Sequence, residues 1–204
     1  MSFFITFEGG EGSGKTTQSH MLFEKLLSKD YKVIHTREMG GTQEAEKIRD
    51  IMLHSDILPI SELFLVMAAR YEHISKLILP SLEAGQMVIC DRFVDSTACY
   101  QGQHEEIGMD LVYNLHKEII GNLMPDITFF IDLPPTVALP RTFGRNDNNK
   151  FEDRNLKFHQ KVYEGFQSLA QRFPERIITI KAENLNPEEV HKKIIDIVLD
   201  KIIS

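Results

Sequence analysis

One segment near the start of the chain restricts the possible folds more than any other. Residues 3–17 read FFITFEGGEGSGKTT, an apolar and aromatic run that leads into a glycine-rich turn and an amphipathic helical pattern. The turn from Gly9 to Thr16 matches G-x-x-x-x-G-K-[ST] without a mismatch. Glycines allow several backbone N–H groups to point inward, and the start of the following helix favours anions. The segment therefore predicts a buried strand, a phosphate-binding loop and a helix.

The residue types in this loop indicate a nucleotide phosphate site. Lys15 can reach the outer phosphates, and the Thr16 hydroxyl can ligate magnesium. A glycine-rich turn that matches the pattern by chance is the alternative, and the strand and helix on either side weigh against it. The candidate nucleotide-binding residues are Gly9, Gly10, Glu11, Gly12, Ser13, Gly14, Lys15, Thr16 and Thr17.

Composition narrows the class of protein. The chain has 204 residues, 42% of them hydrophobic, which is enough for one sizeable core. Its formal charge of −7 argues against binding to a nucleic acid polymer, and no apolar run reaches the ~20 residues of a membrane span. Cys90 and Cys99 lack redox-motif and zinc-motif spacing, so we expect idle thiols in a reducing compartment and a cytosolic protein.

The remainder of the chain alternates short apolar runs with longer amphipathic segments. We expect further strands at 32–37, 87–91, 127–133 and 177–180 and helices at 43–53, 61–79, 110–120, 156–173 and 187–202, with one more beginning at Pro134–Pro135. This alternation predicts an α/β fold, a parallel sheet of about five strands with helices on both faces. No repeat or long linker interrupts it, so residues 1–204 form one domain. The polar segment 143–155 predicts a mobile loop.

Two acidic residues are candidates for a magnesium ligand at the carboxyl edge of this sheet. Asp91 and Asp132 each follow an apolar run, and the pattern alone divides the metal role evenly between them. Arg92 directly follows Asp91 and would place an anion binder beside the metal, which favours Asp91. Leu-Pro-Pro follows Asp132.

Arg70 interrupts the apolar stripe of the helix expected at 61–79. Steps of three and four residues from Met67 to Ile74 pass through it, so its guanidinium is expected on the buried face. A buried charge needs an anionic partner. A structural ion pair with an Asp or Glu would satisfy this need, and so would a clamp on a substrate phosphate, for which the planar guanidinium is well suited. Arg37 and Arg49 are either solvated surface residues or further anion binders.

Several motifs together resemble the thymidylate kinase family of P-loop enzymes, and the resemblance covers nearly the whole chain. They are FEGGEGSGKTTQ at 7–18, TREMGGT at 36–42, AAR at 68–70, CDRFVDSTACYQGQ at 90–103, PDITFFIDL at 125–133 and NKFED at 149–153. The resemblance implies a three-layer α/β/α P-loop NTPase fold with a mobile lid at about 142–155, and a homodimer. It also implies in-line transfer of a phosphoryl group from ATP, with Mg²⁺, to dTMP, giving dTDP for dTTP synthesis.

The resemblance implies roles for individual residues as well. The glycine loop would hold the ATP phosphates, Glu11 would meet the deoxyribose 3′-hydroxyl, and Thr97 and Gln101 would recognise the base. Arg37, Arg70 and Arg92 would hold the dTMP phosphate and its surroundings. The full substrate-binding set is Glu11, Arg37, Arg49, Val66, Met67, Arg70, Arg92, Ser96, Thr97, Tyr100 and Gln101. The catalytic set is Lys15, Asp91, Arg92, Arg145 and Lys150, with Thr16 and Asp91 on the metal and Arg141 on ATP.

The chain departs from the family pattern at a few positions. Gly12 stands where one branch of the family has arginine, so the chain resembles the bacterial type with its arginine in the lid, where Arg141, Arg145 and Lys150 are the candidates. Val66 occupies the position of the aromatic residue that stacks on thymine, so that either Met67 or Phe64 replaces it or base stacking is weaker. Met39 replaces the usual proline, and Lys150 the usual lid arginine.

Two other functions compete with this interpretation. Another nucleoside monophosphate or deoxynucleoside kinase of the same architecture would differ in its acceptor. A P-loop switch protein would need no second nucleotide pocket, whereas Arg70 and the Asp91–Arg92 pair point to one.

Overall fold

A computed structural model of the chain describes residues 2–142, 151 and 154–203. Five parallel strands form one sheet in the order β2-β3-β1-β4-β5. The strands are β1 (Phe3–Glu8), β2 (Val33–Arg37), β3 (Met87–Asp91), β4 (Ile127–Asp132) and β5 (Ile177–Lys181). The predicted parallel α/β sheet is confirmed, and each strand lies within a residue or two of its expected position.

Helices connect the strands and cover the sheet. They are α1 (Lys15–Leu27), α2 (Gln43–His54), α3 (Pro59–His73), α4 (Leu79–Glu83), α5 (Val94–Tyr100), α6 (Gly108–Ile120), α7 (Pro135–Ala138), α8 (Leu156–Arg172) and α9 (Pro187–Ile203). A π-helical turn, Ile74–Ile78, joins α3 to α4, and a 3₁₀ turn, Leu139–Arg141, follows α7. No helix in the described part of the chain has the length and apolar character needed to cross a membrane.

Two apolar layers pack against the sheet because side chains alternate along each strand. Ile5 and Phe7 of β1 face a cluster formed with α1 and α9. Phe4 faces the opposite cluster, to which α3, α5, α6 and α8 contribute. Glu8 has the same strand parity as Phe4, so its side chain lies on the α5 side. The three-layer α/β/α arrangement that the resemblance implies is therefore confirmed.

The sequence pattern did not predict α5. This helix has seven residues, and every one of them is buried. A short helix without a polar face has no amphipathic period to detect. The omission is important because α5 carries several of the predicted substrate-binding residues.

Candidate active site

The phosphate-binding loop lies between the end of β1 and the start of α1, as predicted. No side chain in the described part of the chain caps the N-terminus of α1, and its first turn contains no acidic residue. Gly12 has a φ of 72°, and a Cβ atom at this position would lie 2.1 Å from the Ala138 carbonyl oxygen. Glycine is therefore required at position 12, and the loop presents backbone N–H groups and a helix N-terminus to an anion.

Lys15 is held across the loop by a neutral backbone acceptor. It is only 5% exposed, and its Nζ atom donates to the Gly10 carbonyl oxygen at 3.1 Å. The nearest carboxylate oxygen in its ion pair, Glu11 Oε2, lies 4.0 Å away. Burial, and next the charge of Arg92, lowers the pKa of Lys15. A bound phosphate would relieve both effects.

Thr16 and Asp91 form a group of oxygens suited to a hard cation. The Thr16 hydroxyl donates to Asp91 Oδ2, while Asp91 Oδ1 is buried without a hydrogen-bond partner among the described residues. Asp132, the alternative metal ligand, accepts a hydrogen bond from the Tyr163 hydroxyl at 2.7 Å and does not line the cleft described below. The geometry therefore favours Asp91, whose free oxygen and neighbouring hydroxyl match the donor set that Mg²⁺ prefers.

Arg92 connects the loop to α5. Its Nη2 atom lies 2.5 Å from Glu11 Oε1, and the Tyr100 hydroxyl donates to the same oxygen at 2.9 Å. Burial alone would raise the pKa of Glu11, but Arg92 and Lys15 lower it to about 2, so Glu11 is ionised. Nη1 of Arg92 donates to Ser96 Oγ at 3.1 Å. The guanidinium is thereby aimed into the cleft beside the loop.

Arg70 is buried and paired with an acid, as the first of the two sequence alternatives requires. It is 1% exposed, and its Nε and Nη2 atoms donate to Glu38 Oε2 at 2.9 and 2.7 Å. Nη2 also donates to Thr97 Oγ1 at 2.7 Å. Burial raises the pKa of Glu38, but the larger combined effect of Arg70 and His73 lowers it. Glu38 is thus the anionic partner of Arg70 in this structure, and a role of Arg70 as a phosphate clamp stays a prediction.

Two further arginines lie near the end of β2. Arg37 donates to Glu46 Oε2 at 2.7 Å with its side chain about half exposed. Arg49 donates to the Met39 carbonyl oxygen at 3.2 Å. Burial, followed by the charges of Arg37 and Arg92, lowers the pKa of Arg49. The charges of these two neighbouring arginines would be balanced by a bound anion.

A single cleft of about 680 Å³ brings most of the predicted site together. The predicted residues that line it are Glu11, Lys15, Thr16, Thr17, Arg37, Arg49, Val66, Arg70, Asp91, Arg92, Ser96, Thr97, Tyr100 and Gln101. The cleft is also lined by Glu38, Met39, Leu53, His54, Phe93 and Phe151, which the sequence analysis did not select. Glu38, Phe93 and Phe151 lie inside the motifs of the resemblance, next to residues that were selected. This adjacency is the sequence signal that could have identified them as cleft residues.

Other predicted residues lie elsewhere. Met67 packs in the core, and Phe64 is 58% exposed on the outer face of α3, so neither lines the cleft in place of the missing aromatic residue. Val66 itself lines the wall, together with Phe93. Arg141 is exposed after α7 and stays a prediction. Arg145 and Lys150 lie outside the described residues.

Comparison with known proteins agrees with this geometry. The family model described as thymidylate kinase matches residues 7–194. The chain belongs to the thymidylate kinase family. Curated thymidylate kinases from Rickettsia bellii and Rickettsia africae are 59% and 60% identical to it over 191 residues, 94% of this chain and 93% and 94% of theirs.

A solved structure supports the family assignment at the level of the fold. The crystal structure of a thymidylate kinase from Ehrlichia chaffeensis superimposes with a TM-score of 0.79 at 38% identity. The match covers 97% of this chain and 98% of the other. The resemblance drawn from the motifs is therefore confirmed, together with the P-loop NTPase fold.

Proposed function

We propose that this member of the thymidylate kinase family transfers the terminal phosphoryl group of ATP to dTMP, giving ADP and dTDP. The observation that carries the proposal is the single cleft into which both the glycine loop and a second, polar wall open. Lys15 and Thr16 lie at one end, and Arg70, Thr97 and Gln101 form the other wall. Two nucleotides that meet end to end require this arrangement, whereas a switch protein requires only the first half.

The loop end of the cleft is assigned to ATP. The backbone N–H groups of the loop and the start of α1 would hold its phosphates, with Lys15 on the group that is transferred. Thr16 and Asp91 would hold Mg²⁺, which neutralises charge on the phosphates when it is bound. The reaction needs little covalent chemistry from the protein, so its contribution is to orient the reacting groups and stabilise charge.

The cationic part of the cleft is assigned to the dTMP phosphate. Arg37, Arg49 and Arg92 all line it, and the charges of Arg37 and Arg92 add to the effect of burial in lowering the pKa of Arg49. Ionised Glu11, held by Arg92 and Tyr100, offers an acceptor for the 3′-hydroxyl of the sugar. A phosphate dianion would balance the arginines and orient the acceptor toward the loop.

The wall formed by α3 and α5 is assigned to the base. Arg70 donates to Thr97 on α5, and Gln101, one turn further, lies 3.4 Å from Glu62 of α3. These contacts orient hydrogen-bonding groups before a base arrives. Val66 and Phe93 supply the apolar part of the wall, so contact with the base does not depend on an aromatic side chain at position 66.

The test is ADP release from ATP and magnesium with dTMP, dUMP, dGMP, UMP, CMP, GMP, AMP and thymidine offered separately. Strong dependence on dTMP, with dUMP a distant second, is the expected result. Preference for another acceptor would identify a different nucleotide kinase of this fold. ATP hydrolysis that ignores every acceptor would overturn the kinase assignment in favour of a switch protein.

A homodimer is also proposed, on the exposed face of α3. Ile60, Phe64 and Tyr71 recur at helical spacing, and the last two are 58% and 51% exposed. Ala68, between them, is exposed as well. An apolar stripe of this length on a helix is typical of a surface that a second protein covers, and a second copy is the occupant implied by the resemblance.

The buried free thiols Cys90 and Cys99 accord with the further proposal of a cytoplasmic location.

A further inference from the structure

Glu8 is a buried carboxyl group that the proposed reaction does not use directly. It ends β1, is 1% exposed and does not line the cleft. Its Oε1 atom accepts the backbone N–H groups of Phe93 at 2.7 Å and Ser96 at 3.2 Å. Its Oε2 atom lies 2.5 Å from Ser96 Oγ. A side chain of the central strand thus holds the start of α5.

The first of these contacts fixes the backbone next to Arg92. Arg92 has a φ of 70°, a left-handed conformation that a residue with a side chain rarely adopts. Its N–H donates to the Phe7 carbonyl oxygen at 2.9 Å, and the following N–H, of Phe93, is the one that Glu8 accepts. The surrounding hydrogen bonds therefore maintain a conformation that Arg92 would not adopt by itself.

The second contact reaches the Arg92 side chain. Ser96 Oγ lies against Glu8 and accepts from Arg92 Nη1 at 3.1 Å. The other terminal nitrogen, Nη2, points to Glu11. The position of Ser96 therefore determines how the guanidinium is turned, and Glu8 determines the position of Ser96.

We propose that Glu8 is a positioning residue that sets both the backbone and the guanidinium of Arg92 and orients α5 toward the acceptor nucleotide. The inference rests on the proposed phosphoryl transfer, in which Arg92, Thr97 and Gln101 contact the substrate. Glu8 touches neither nucleotide. It acts through Phe93 and Ser96, and a small displacement of Arg92 would be felt in the transition state.

The chemistry of the carboxyl group identifies its best substitute. Burial, and next the nearby Asp95, raises the pKa of Glu8 to about 8, although Ser96 and Arg92 oppose this effect. A neutral side chain of the same length therefore reproduces the group near pH 7. Glutamine has that length and keeps an oxygen for the two backbone N–H groups, whereas aspartate keeps the acid but is shorter.

The test compares Glu8→Ala, Glu8→Asp and Glu8→Gln with the wild type in steady-state kinetics. Asp126→Ala is the matched control, because Asp126 Oδ2 accepts the Phe4 N–H at 2.7 Å near the opposite end of β1, away from the cleft. For Glu8→Ala we expect kcat/KM for dTMP to fall about 100-fold. The KM for dTMP should rise while the KM for ATP is unchanged. Partial unfolding alone would lower the apparent kcat and leave both KM values unchanged, as we expect for the control.

The order of the other two variants decides the question even where Glu8→Ala does not fold. Glu8→Gln should retain activity close to that of the wild type, and Glu8→Asp should lose much of it. If Glu8→Asp matched the wild type, or if Glu8→Gln were the more damaged of the two, the positioning role would be overturned. An inactive wild type would instead overturn the phosphotransferase assignment on which the role depends.

Discussion

The ammonium group of Lys15 is almost completely buried, and burial of a charged group costs free energy of folding. Burial and Arg92 both disfavour its charged form, and its closest hydrogen-bond acceptor is a neutral carbonyl group. Nearby Glu11 and Asp91 offset part of the free energy that this arrangement costs, and a bound phosphate would offset more of it. Substitutions of single residues therefore distinguish side chains that bind the ligand from side chains that stabilise the fold.

Replacement of Lys15 by alanine should remove nearly all turnover and leave the fold intact. The loss of a cation from the transferring phosphate should lower kcat by about 100-fold to 1000-fold, because such charge stabilisation is a large part of catalysis. The melting temperature should not fall, since a poorly paired buried charge is removed. Steady-state kinetics and circular dichroism measure the two effects. A variant with a near-wild-type rate would remove the central role assigned to the loop.

Glu8 should make the stability of the protein depend on pH in an unusual direction. Its pKa is about 8 in the folded protein and 4.5 for the free side chain, so folding favours the neutral form. As far as Glu8 is concerned, the free energy of unfolding of the wild type is therefore greatest below pH 4.5, and it decreases as the pH rises to 8. Because one pKa unit corresponds to ~1.4 kcal/mol, the change is on the order of several kcal/mol.

The comparison with Glu8→Gln isolates this effect. Glutamine does not titrate, so the difference in unfolding free energy between the variant and the wild type should shift in favour of the variant from pH 4.5 to 8. Urea unfolding at several pH values measures it. A difference that is constant across this range would show that Glu8 is ionised in the folded protein.

At the scale of elements, α5 depends on side chains from elsewhere in the chain. Its Asp95 is fully buried and accepts from both terminal nitrogens of Arg176, at 2.6 and 2.8 Å, and from the Tyr113 hydroxyl. Arg176 precedes β5 and also donates to Thr128 of β4. An ion pair thus connects this short helix to the part of the sheet formed by β4 and β5.

Replacement of Arg176 by alanine should destabilise the protein by about 3–5 kcal/mol, because it leaves the buried carboxylate of Asp95 without its cation. Arg172→Ala is a matched control. Arg172 pairs with Asp110 at 2.6 Å, but both side chains are largely exposed, so about 1 kcal/mol or less should be lost. Denaturant unfolding of both variants gives the comparison. Equal losses would contradict the role assigned to the buried pair.

The elements also show how far the sequence could predict this structure. Strands such as Met87–Asp91 are continuous apolar runs, and their predicted bounds lie within a residue or two of those observed. For α1, the amphipathic pattern predicted a helix after the glycine loop but not where that helix ends. The glycine loop and the residues after β3 indicated the site because their chemistry is specific. Glu38 and Glu8 were missed because nothing local distinguishes an acid that orients an arginine from one that faces water. Only the fold brings Glu38 to Arg70, 32 positions away in the chain.

At the scale of the whole molecule, the apolar stripe on α3 should hold two copies together. Phe64→Asp places a charge on this face and should convert a dimer into a monomer, without loss of secondary structure, because Phe64 is exposed in the single chain. Leu156→Asp, at a residue exposed to a similar extent on α8, is the control and should remain dimeric. Sedimentation equilibrium measures both. A wild type that is monomeric at all concentrations would contradict the proposed dimer.

The Ala138 carbonyl oxygen lies where a Cβ atom at position 12 would be, and this has an evolutionary consequence. The resemblance implies two branches of the family, with an arginine either in the loop or in the lid, and a single codon change could introduce an arginine at position 12. Here, any side chain at that position would collide with a main-chain atom, and its backbone would be strained as well. An arginine at position 12 is therefore tolerated only after the backbone that follows β4 has shifted. The effect of this substitution thus depends on earlier substitutions elsewhere in the chain. Ancestral sequences that connect the branches should show changes around position 138 earlier than the change at position 12.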